Sequence, residues 1–549
     1  MTDDDGMRRG AALMASGTAV SRVLGLLRGM VMVSAIGATG QAADAFAVAN
    51  KLPNVLYMLL AGGVLNAILV PQVVRAYKRK AGQEYVDRLL TLGFVALAAA
   101  TVVLTLLAPV LVSLYSNFGN PAQDALATTF AYWCIPQLFF YGAYALLGQV
   151  LNARGSFGPY MWAPAVNNIV AIVGFGVFIA VFGVWKSSGV TDAASWTPGQ
   201  TALLAGAATL GVVAQAVVLI PALRRAGVHY RPRWGLRGSG LSAAGGVATW
   251  TLAGLAVGQL GYLIVSRVAS AAPAAAVADG ATASAVAGTA AYDVAFLIFM
   301  LPHSLVTVSL ATALFTRLSG QAHEADVAGV RATLSSGLRV VGVFTIFATA
   351  AVIVLDLPLT RVVLATASAA SADAVAAVVL TMILGLPAFG AWSMFQRVYY
   401  AYEDARSMVP IQVVMAAVVV VGALLSRVLL HPSSWVAGAG AAMSLSYVVG
   451  AVIAAWRLRR RLDGIDGSRV LQVLARSTLA ALVSAGIGGL VLLLLGRGLS
   501  TGLMASVIEC AVVGTVMGLV YVGALRVLRV RELDSLLLPV LRRLTGRRR

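Results

Sequence analysis

Arg22 and Arg28 stand inside the first long apolar stretch of the chain, in the run Ser21-Arg22-Val23-Leu24-Gly25-Leu26-Leu27-Arg28. A permanent cation at a bilayer centre costs roughly 2.5 to 3.5 kcal/mol even on lenient insertion scales, so two on one helix need something to face. At about 100° per residue, Ser21, Arg22, Gly25, Arg28 and Gly29 share one arc of about 120°, with the arginines at its edges and Gly25 between them. The arginines sit about 9 Å apart along the axis, and both side chains are long enough to converge on a diphosphate-sized group. A guanidinium grips phosphate oxygens bidentately, which suits it to that task. Two other arrangements satisfy the same charges: snorkelling to an interface, or pairing with acids on other helices.

The elements that must position these residues are membrane helices. Hydrophobic residues make up 60% of the 549 and charged ones 11%, with a mean hydropathy of +0.88. A soluble domain carries about a quarter charged residues. The apolar runs predict spans at 11–36, 46–74, 89–115, 125–151, 160–184, 201–223, 241–269, 286–314, 334–357, 374–400, 408–430, 436–456, 471–495 and 502–525. Most reach the roughly 20 residues that a bilayer demands, so the fold class is an all-α polytopic membrane protein of about fourteen helices. The runs are continuously apolar rather than alternating, which argues against a barrel. The first span is too long and too charged for a cleaved signal peptide and is expected to stay attached.

The net charge of +19 invites a nucleic-acid reading, but the cations fall in alternate loops. With the N terminus inside, cytoplasmic loops hold Arg75, Lys78, Arg79, Lys80 and Arg88, then Arg224 to Arg237, then Arg457 to Arg469 and the tail from Arg526. The opposite loops hold little beyond Lys186, Arg361, Arg427 and Arg497. This positive-inside pattern needs no nucleic acid and puts both termini in the cytoplasm. The tail alternates leucine with arginine, which suits either an anionic inner leaflet or a plain topology anchor.

Other chemistries lack their parts. Cys134 and Cys510 offer no disulfide framework, and the four histidines are too scattered for a metal site, so no metal or cofactor is expected. None of Lys51, Lys78, Lys80 and Lys186 follows glycine, so the phosphate-binding loop of ATPases is absent. No loop is long enough to carry a catalytic domain, which leaves a secondary transporter rather than an enzyme. With an anionic cargo moving outward, the membrane potential could supply about 2.3 kcal/mol per charge per 100 mV. The coupling ion is left open; Asp293 and Glu509 are acids within spans that could carry a proton or simply end a helix.

The chain echoes itself. Leu52-Pro53 returns as Leu301-Pro302, Ala153 as Ala401 and Pro164 as Pro410, each about 250 residues on, which suggests a duplicated unit of six helices. Six is even, so the copies would share one orientation.

The opening run, with Gly37-Ala38, Asp44-Ala45-Phe46, Ala49, Leu52-Pro53-Asn54, Gly63 and Val70-Pro71, resembles the start of the MurJ (MviN) lipid II flippase family. So do Leu151-Asn152-Ala153-Arg154, Trp162-Ala163-Pro164, Asn167-Asn168 and Tyr399-Tyr400-Ala401 with Asp404 and Arg406. That family belongs to the multidrug, oligosaccharidyl-lipid and polysaccharide exporter superfamily. The resemblance implies two six-helix lobes forming a V around a central cavity, and a hydrophobic groove beside the last two helices for a polyprenyl tail. It also implies alternating access for an undecaprenyl-diphosphate-linked disaccharide pentapeptide, carried from the inner to the outer leaflet of a bacterial inner membrane. On that plan 1–228 is the N-lobe, 229–240 a basic cytoplasmic linker, 241–460 the C-lobe, 470–526 the last two helices and 527–549 a basic amphipathic tail.

Arg22 and Arg28 match family arginines and are the expected diphosphate ligands, with Lys51 a third cation. Ser21, Gly25, Asn54, Asn167 and Asn168 are cavity candidates, although serine and asparagine in membrane helices also serve as packing glue. Asp44 could gate the cavity mouth or cap its helix. The chain departs from the family at Tyr57, Gly62 and Gly29, where many members carry charges, and at Leu297 and Met300 in the eighth span. Arg267 or Lys51 could restore the missing positive field. The eleventh span has no acid or asparagine on which to build a sodium site. Two alternatives stand beside a lipid II flippase: an exporter for another polyprenyl-linked glycan or a drug, and a non-transporting paralogue that recruits cell-wall or division proteins through its basic loops.

Overall fold

The computed structural model describes residues 3–60, 83–185, 192–234, 245–498, 502–530 and 532. Among them all regular structure is helical. Among the described residues twelve helices, or thirteen with a bent pair counted as one span, are long and apolar enough to cross a membrane, so this is a multi-pass membrane protein. The second expected span, 46–74, leaves the described residues after Leu60, and Gly62, most of the tail and part of the basic linker also lie outside them.

The chain divides into two compact units, Met1–Ala291 with Thr366–Ser371, and Tyr292–Ala365 with Ala372–Arg549. The first contains α1 (Asp3–Ile36), α2 (Gln41–Leu60), α3 (Gln83–Leu106), α4 (Ala108–Tyr115), α5 (Pro121–Cys134), α6 (Gln137–Ala153), α7 (Phe157–Phe182), α8 (Pro198–Val217), α9 (Leu219–Arg225) and α10 (Gly245–Ala278). α1 stops where Gly37 turns to φ 84° with Trp185 packed against it, a conformation that costs glycine little. Thr197 and Gln200 form a reciprocal capping box that starts α8. α1 lies along α7, and α2 packs on α5, where the Phe46 and Phe130 rings meet edge to face at 5.3 Å.

In the second unit the chain runs through α11 (Thr289–Pro302), whose first residues belong to the first unit, then α12 (Val308–His323), α13 (Val327–Val354) and α14 (Asp356–Val363). α15 (Ala369–Ile383), α16 (Leu386–Ala401), α17 (Ala405–Leu429), α18 (Trp435–Arg461), α19 (Gly467–Gly496) and α20 (Leu503–Val527) follow. α17 pairs with α18, and α19 with α20 and α13.

The order of elements repeats. A long helix, an eight-residue helix and a span broken in two make up α3 to α6, and the same succession returns as α13 to α16. The expected continuous spans 125–151 and 374–400 are therefore each interrupted. Pro136 follows the break after Cys134, and Pro387 stands in the first turn of α16, which bends 46° from α15; neither proline can donate to the ladder of the preceding turn. The helices after each break repeat as well. A Cβ on Gly174 of α7 would collide with the Ala207 methyl of α8, and one on Gly422 of α17 with the Ala442 methyl of α18. Such small-residue contacts let backbones approach where lipid offers no hydrophobic drive for association. One feature breaks the symmetry: Pro53 lies within α2 without widening it, whereas Pro302 is followed by a π turn at His303–Thr307.

Candidate functional site

Arg22 and Arg28 occupy one face of α1, half-buried, with Ser21, Gly25 and Gly29 beside them and exposed Val23 and Leu27 on other faces. Among the described residues neither arginine has a carboxylate within ion-pair distance. Among the described residues, then, no buried acid pairs with these cations. Arg28 lies close enough to Tyr141 and Cys134 to act on both electrostatically. The neighbouring helix is fixed by amides. The Asn168 side chain donates to the Ser21 carbonyl at 2.9 Å, with Gly25 open beside it, and Asn167 donates to Gln215 Oε1 at 2.8 Å beneath Gly211. Both asparagines therefore hold α7 against its neighbours, the packing role that competes with ligand binding.

The remaining candidates separate in the same way. Lys51 is half-buried on α2 with its ammonium 5.2 Å from the Tyr262 ring centroid, while Asn54 is exposed one turn further on. Beside them, Gln137 donates to Thr209 Oγ1 at 3.0 Å and to Asn50 Oδ1 at 3.4 Å. Arg267 is engaged with backbone: its Nη1 donates to the carbonyls of Ser113, Leu114 and Ser116 at 2.6, 3.2 and 3.1 Å. A guanidinium there satisfies the orphan carbonyls at the end of α4 and complements the helix dipole. Asp44 is 1% exposed and accepts from the Ala290 N–H at 2.8 Å, in the first turn of α11. It caps that helix. Gly288 packs directly on its carboxylate, where no side chain would fit.

Tyr57 joins an aromatic group. Its ring is 5.8 Å from that of Tyr141, while Tyr144 stacks on Tyr160 at 4.8 Å and donates to the Tyr160 carbonyl at 3.0 Å. Leu297 and Met300 are half-buried on α11.

Among the intramembrane arginines of the second unit that the sequence analysis did not name are Arg339 and Arg397. Arg339 of α13 is buried, with Nε donating to Glu532 Oε1 at 2.6 Å and Nη1 to Ser335 Oγ at 2.5 Å. Arg397 of α16 is half-buried, its guanidinium 5.5 Å from the Phe315 ring centroid, with no carboxylate within ion-pair distance among the described residues. A cation three residues before the Tyr400-Ala401 motif was signal enough to single out Arg397. An apolar groove of about 870 Å³ also lies in this unit, with walls that include Leu338, Ile346, Phe395, Trp456, Val470 and Leu474 from α13, α16, α18 and α19. Arg459, Asp466 and Ser468 also line it.

Comparison with known proteins gives the family. The model of the family described as "Lipid II flippase MurJ" matches residues 32–510. The chain is 26% identical over 407 residues to the probable lipid II flippase MurJ of Vibrio cholerae, covering 71% of this chain and 72% of that one. It is 30% identical over 267 residues to that of Haemophilus influenzae, covering 46% of this chain and 49% of that one, about half the relative's length. A solved structure of lipid II flippase MurJ in an inward closed conformation superposes with a TM-score of 0.70 at 16% identity, covering 94% of this chain and 99% of that chain. An inward-facing multidrug resistance MATE family transporter of the MOP superfamily follows at 0.62 and 15%, covering 83% and 99%. At such identities the structural likeness concerns the fold, whereas the family model extends over most of the 549 residues, and by that match the chain belongs to the lipid II flippase MurJ family.

Proposed function

We propose that this chain is a lipid II flippase, moving an undecaprenyl-diphosphate-linked peptidoglycan precursor from the inner to the outer leaflet of a bacterial inner membrane by alternating access. The observation that carries the reading is the half-buried pair Arg22 and Arg28 on one face of α1, without a carboxylate partner among the described residues. Two permanent cations so placed need an anion, and a diphosphate supplies oxygens for two bidentate contacts. Lys51, one helix away in sequence, adds charge to the same unit, and the exposed Asn54 remains a candidate for sugar or peptide. Ser21 and Gly25 serve by leaving space and backbone beside the arginines. The apolar groove between α13, α16, α18 and α19 suits a polyprenyl tail, because an isoprenoid chain needs volume and no hydrogen-bond partners.

The transport cycle in this reading consumes no ATP; the outward movement of an anionic head group draws on the membrane potential. Both termini lie in the cytoplasm, where the basic loops and tail meet anionic lipids and could dock cell-wall synthesis or division proteins. The test is complementation. Expression of this chain in cells depleted of their own flippase should restore growth and lipid II translocation. Membrane-localised protein that restores neither would favour the recruiting paralogue, and trapped glycan or drug identified by mass spectrometry would name a different cargo.

A further inference from the structure

Beside the π turn His303–Thr307 lies a cavity of about 250 Å³ within the second unit, lined by His303, Val308, Ala311 and Phe389 and by a polar strip of α16. The strip is Ser393, Gln396, Arg397 and Tyr400, at positions i, i+3, i+4 and i+7, so all four share one helical face. His303 closes the opposite side, its Nε2 3.5 Å from Ser393 Oγ and its ring centroid 4.1 Å from that of Phe389. Tyr400 is 41% exposed and forms the rim. Arg397 stands about 6 Å along the axis from the end of α16, set back from that end by one turn. Beside the turn, the Thr307 hydroxyl is fully buried and has no hydrogen-bond partner among the described residues, so the helix here is already short of polar contacts.

The cavity has the volume of about eight water molecules, too small for a disaccharide and sufficient for a carboxylate with its adjoining amide. One permanent cation among hydroxyl, amide and imidazole groups and the apolar Val308, Ala311 and Phe389 matches a monoanion; a diphosphate would call for a second permanent cation. Among the described residues Arg397 faces the Phe315 ring and acts electrostatically on Tyr400, with no carboxylate within ion-pair distance. Resting on the flippase reading above, we infer that this cavity receives a peptide-stem carboxylate of the lipid-linked precursor, gripped by Arg397 and flanked by Ser393, Gln396 and Tyr400.

Binding to the full chain in nanodiscs, followed by native mass spectrometry, tests this with three probes: the lipid-linked disaccharide pentapeptide, the same compound with its stem carboxyls amidated, and the lipid-linked disaccharide lacking the peptide. The wild type should prefer the free-carboxyl form about tenfold over the amidated one, the scale of a charge-assisted hydrogen bond. Arg397→Gln should erase that preference while binding the amidated and peptide-free probes as before, which also reports that it is folded. A Ser393→Ala/Gln396→Leu variant, which leaves the arginine in place, should lose only part of it. Binding of all three probes by the wild type without discrimination, or undiminished preference in Arg397→Gln, overturns the inference and leaves the flippase reading intact. Failure of the wild type to bind any of the three overturns both.

Discussion

Arg22 and Arg28 in the first unit and Arg339 in the second are the same residue type in the same solvent, yet they are satisfied in different ways. Arg339 is 8% exposed and has a carboxylate of its own, Glu532, brought from beyond the end of α20, with Ser335 completing its hydrogen bonds. The α1 arginines are more open and have no such partner among the described residues. An intramembrane arginine with an internal counter-charge is a latch: it ties the start of the C-terminal segment to the middle of α13. On the flippase reading proposed above, the counter-charge of the α1 pair is supplied by the ligand instead. Residue identity alone does not distinguish the two; the partner does.

Substitution should separate them. Arg22→Ala or Arg28→Ala is expected to abolish complementation of flippase-depleted cells at normal membrane abundance, because removing an intramembrane cation makes a helix easier to insert. Lysine should rescue in part, lacking the bidentate fork. Normal growth of both alanine variants would break the contrast at its functional end. Arg339→Ala should do the reverse, lowering the stability of purified protein by up to about 3 to 5 kcal/mol as the largely buried Glu532 loses its arginine, whereas Arg339→Leu/Glu532→Leu should recover most of the loss. An unchanged melting temperature in Arg339→Ala would show that the latch holds nothing.

Smaller effects sharpen the comparison of the units themselves. Gly174→Val and Gly422→Val insert side chains at corresponding helix contacts and should each cost about 1 to 3 kcal/mol; a large inequality in denaturation midpoints would mean that the repeat is one of order and not of packing. At the start of α17, burial raises the affinity of the Asp404 carboxyl for protons, but hydrogen bonds from Ser407 and Arg461 outweigh it and hold the group below the usual carboxylate range. A depressed value means that its contribution is complete above about pH 4 and fades as pH falls through the native value. Asp404→Ala should therefore cost about 1 kcal/mol at neutral pH, the worth of a helix cap, and the variant and wild type should converge in acid. A gap that widens below pH 4 would contradict this.

Much of the fold was legible because hydropathy reports the solvent directly: α7, α17, α19 and α20 sit where their apolar runs lie. The breaks in α5/α6 and α15/α16 were written in Pro136 and Pro387, yet apolar continuity across them masked the interruption. The π turn left no comparable mark, since Pro302 and Pro53 look alike in sequence and only one is followed by a widened ladder. The site divides similarly. Arg22 and Arg28 could be found from one helix, because their spacing is local. The tasks of Arg267 and Asp44 depend on carbonyls and an N–H about 150 and 246 residues away, distances across which no periodicity carries information. Arg339 and Glu532, 193 residues apart, are hidden for the same reason.

The Gly174 and Gly422 contacts bear on how such a chain can diverge. Hydropathy tolerates almost any exchange among leucine, valine, isoleucine and alanine, so a transporter that is 60% hydrophobic has wide freedom to wander in sequence. At these two crossings that freedom ends, because backbone separation leaves no volume for the exchange. A descendant could match this chain's hydropathy profile residue for residue and still fail to assemble, unless Ala207 or Ala442 shrank in the same lineage. Divergence there must proceed in pairs.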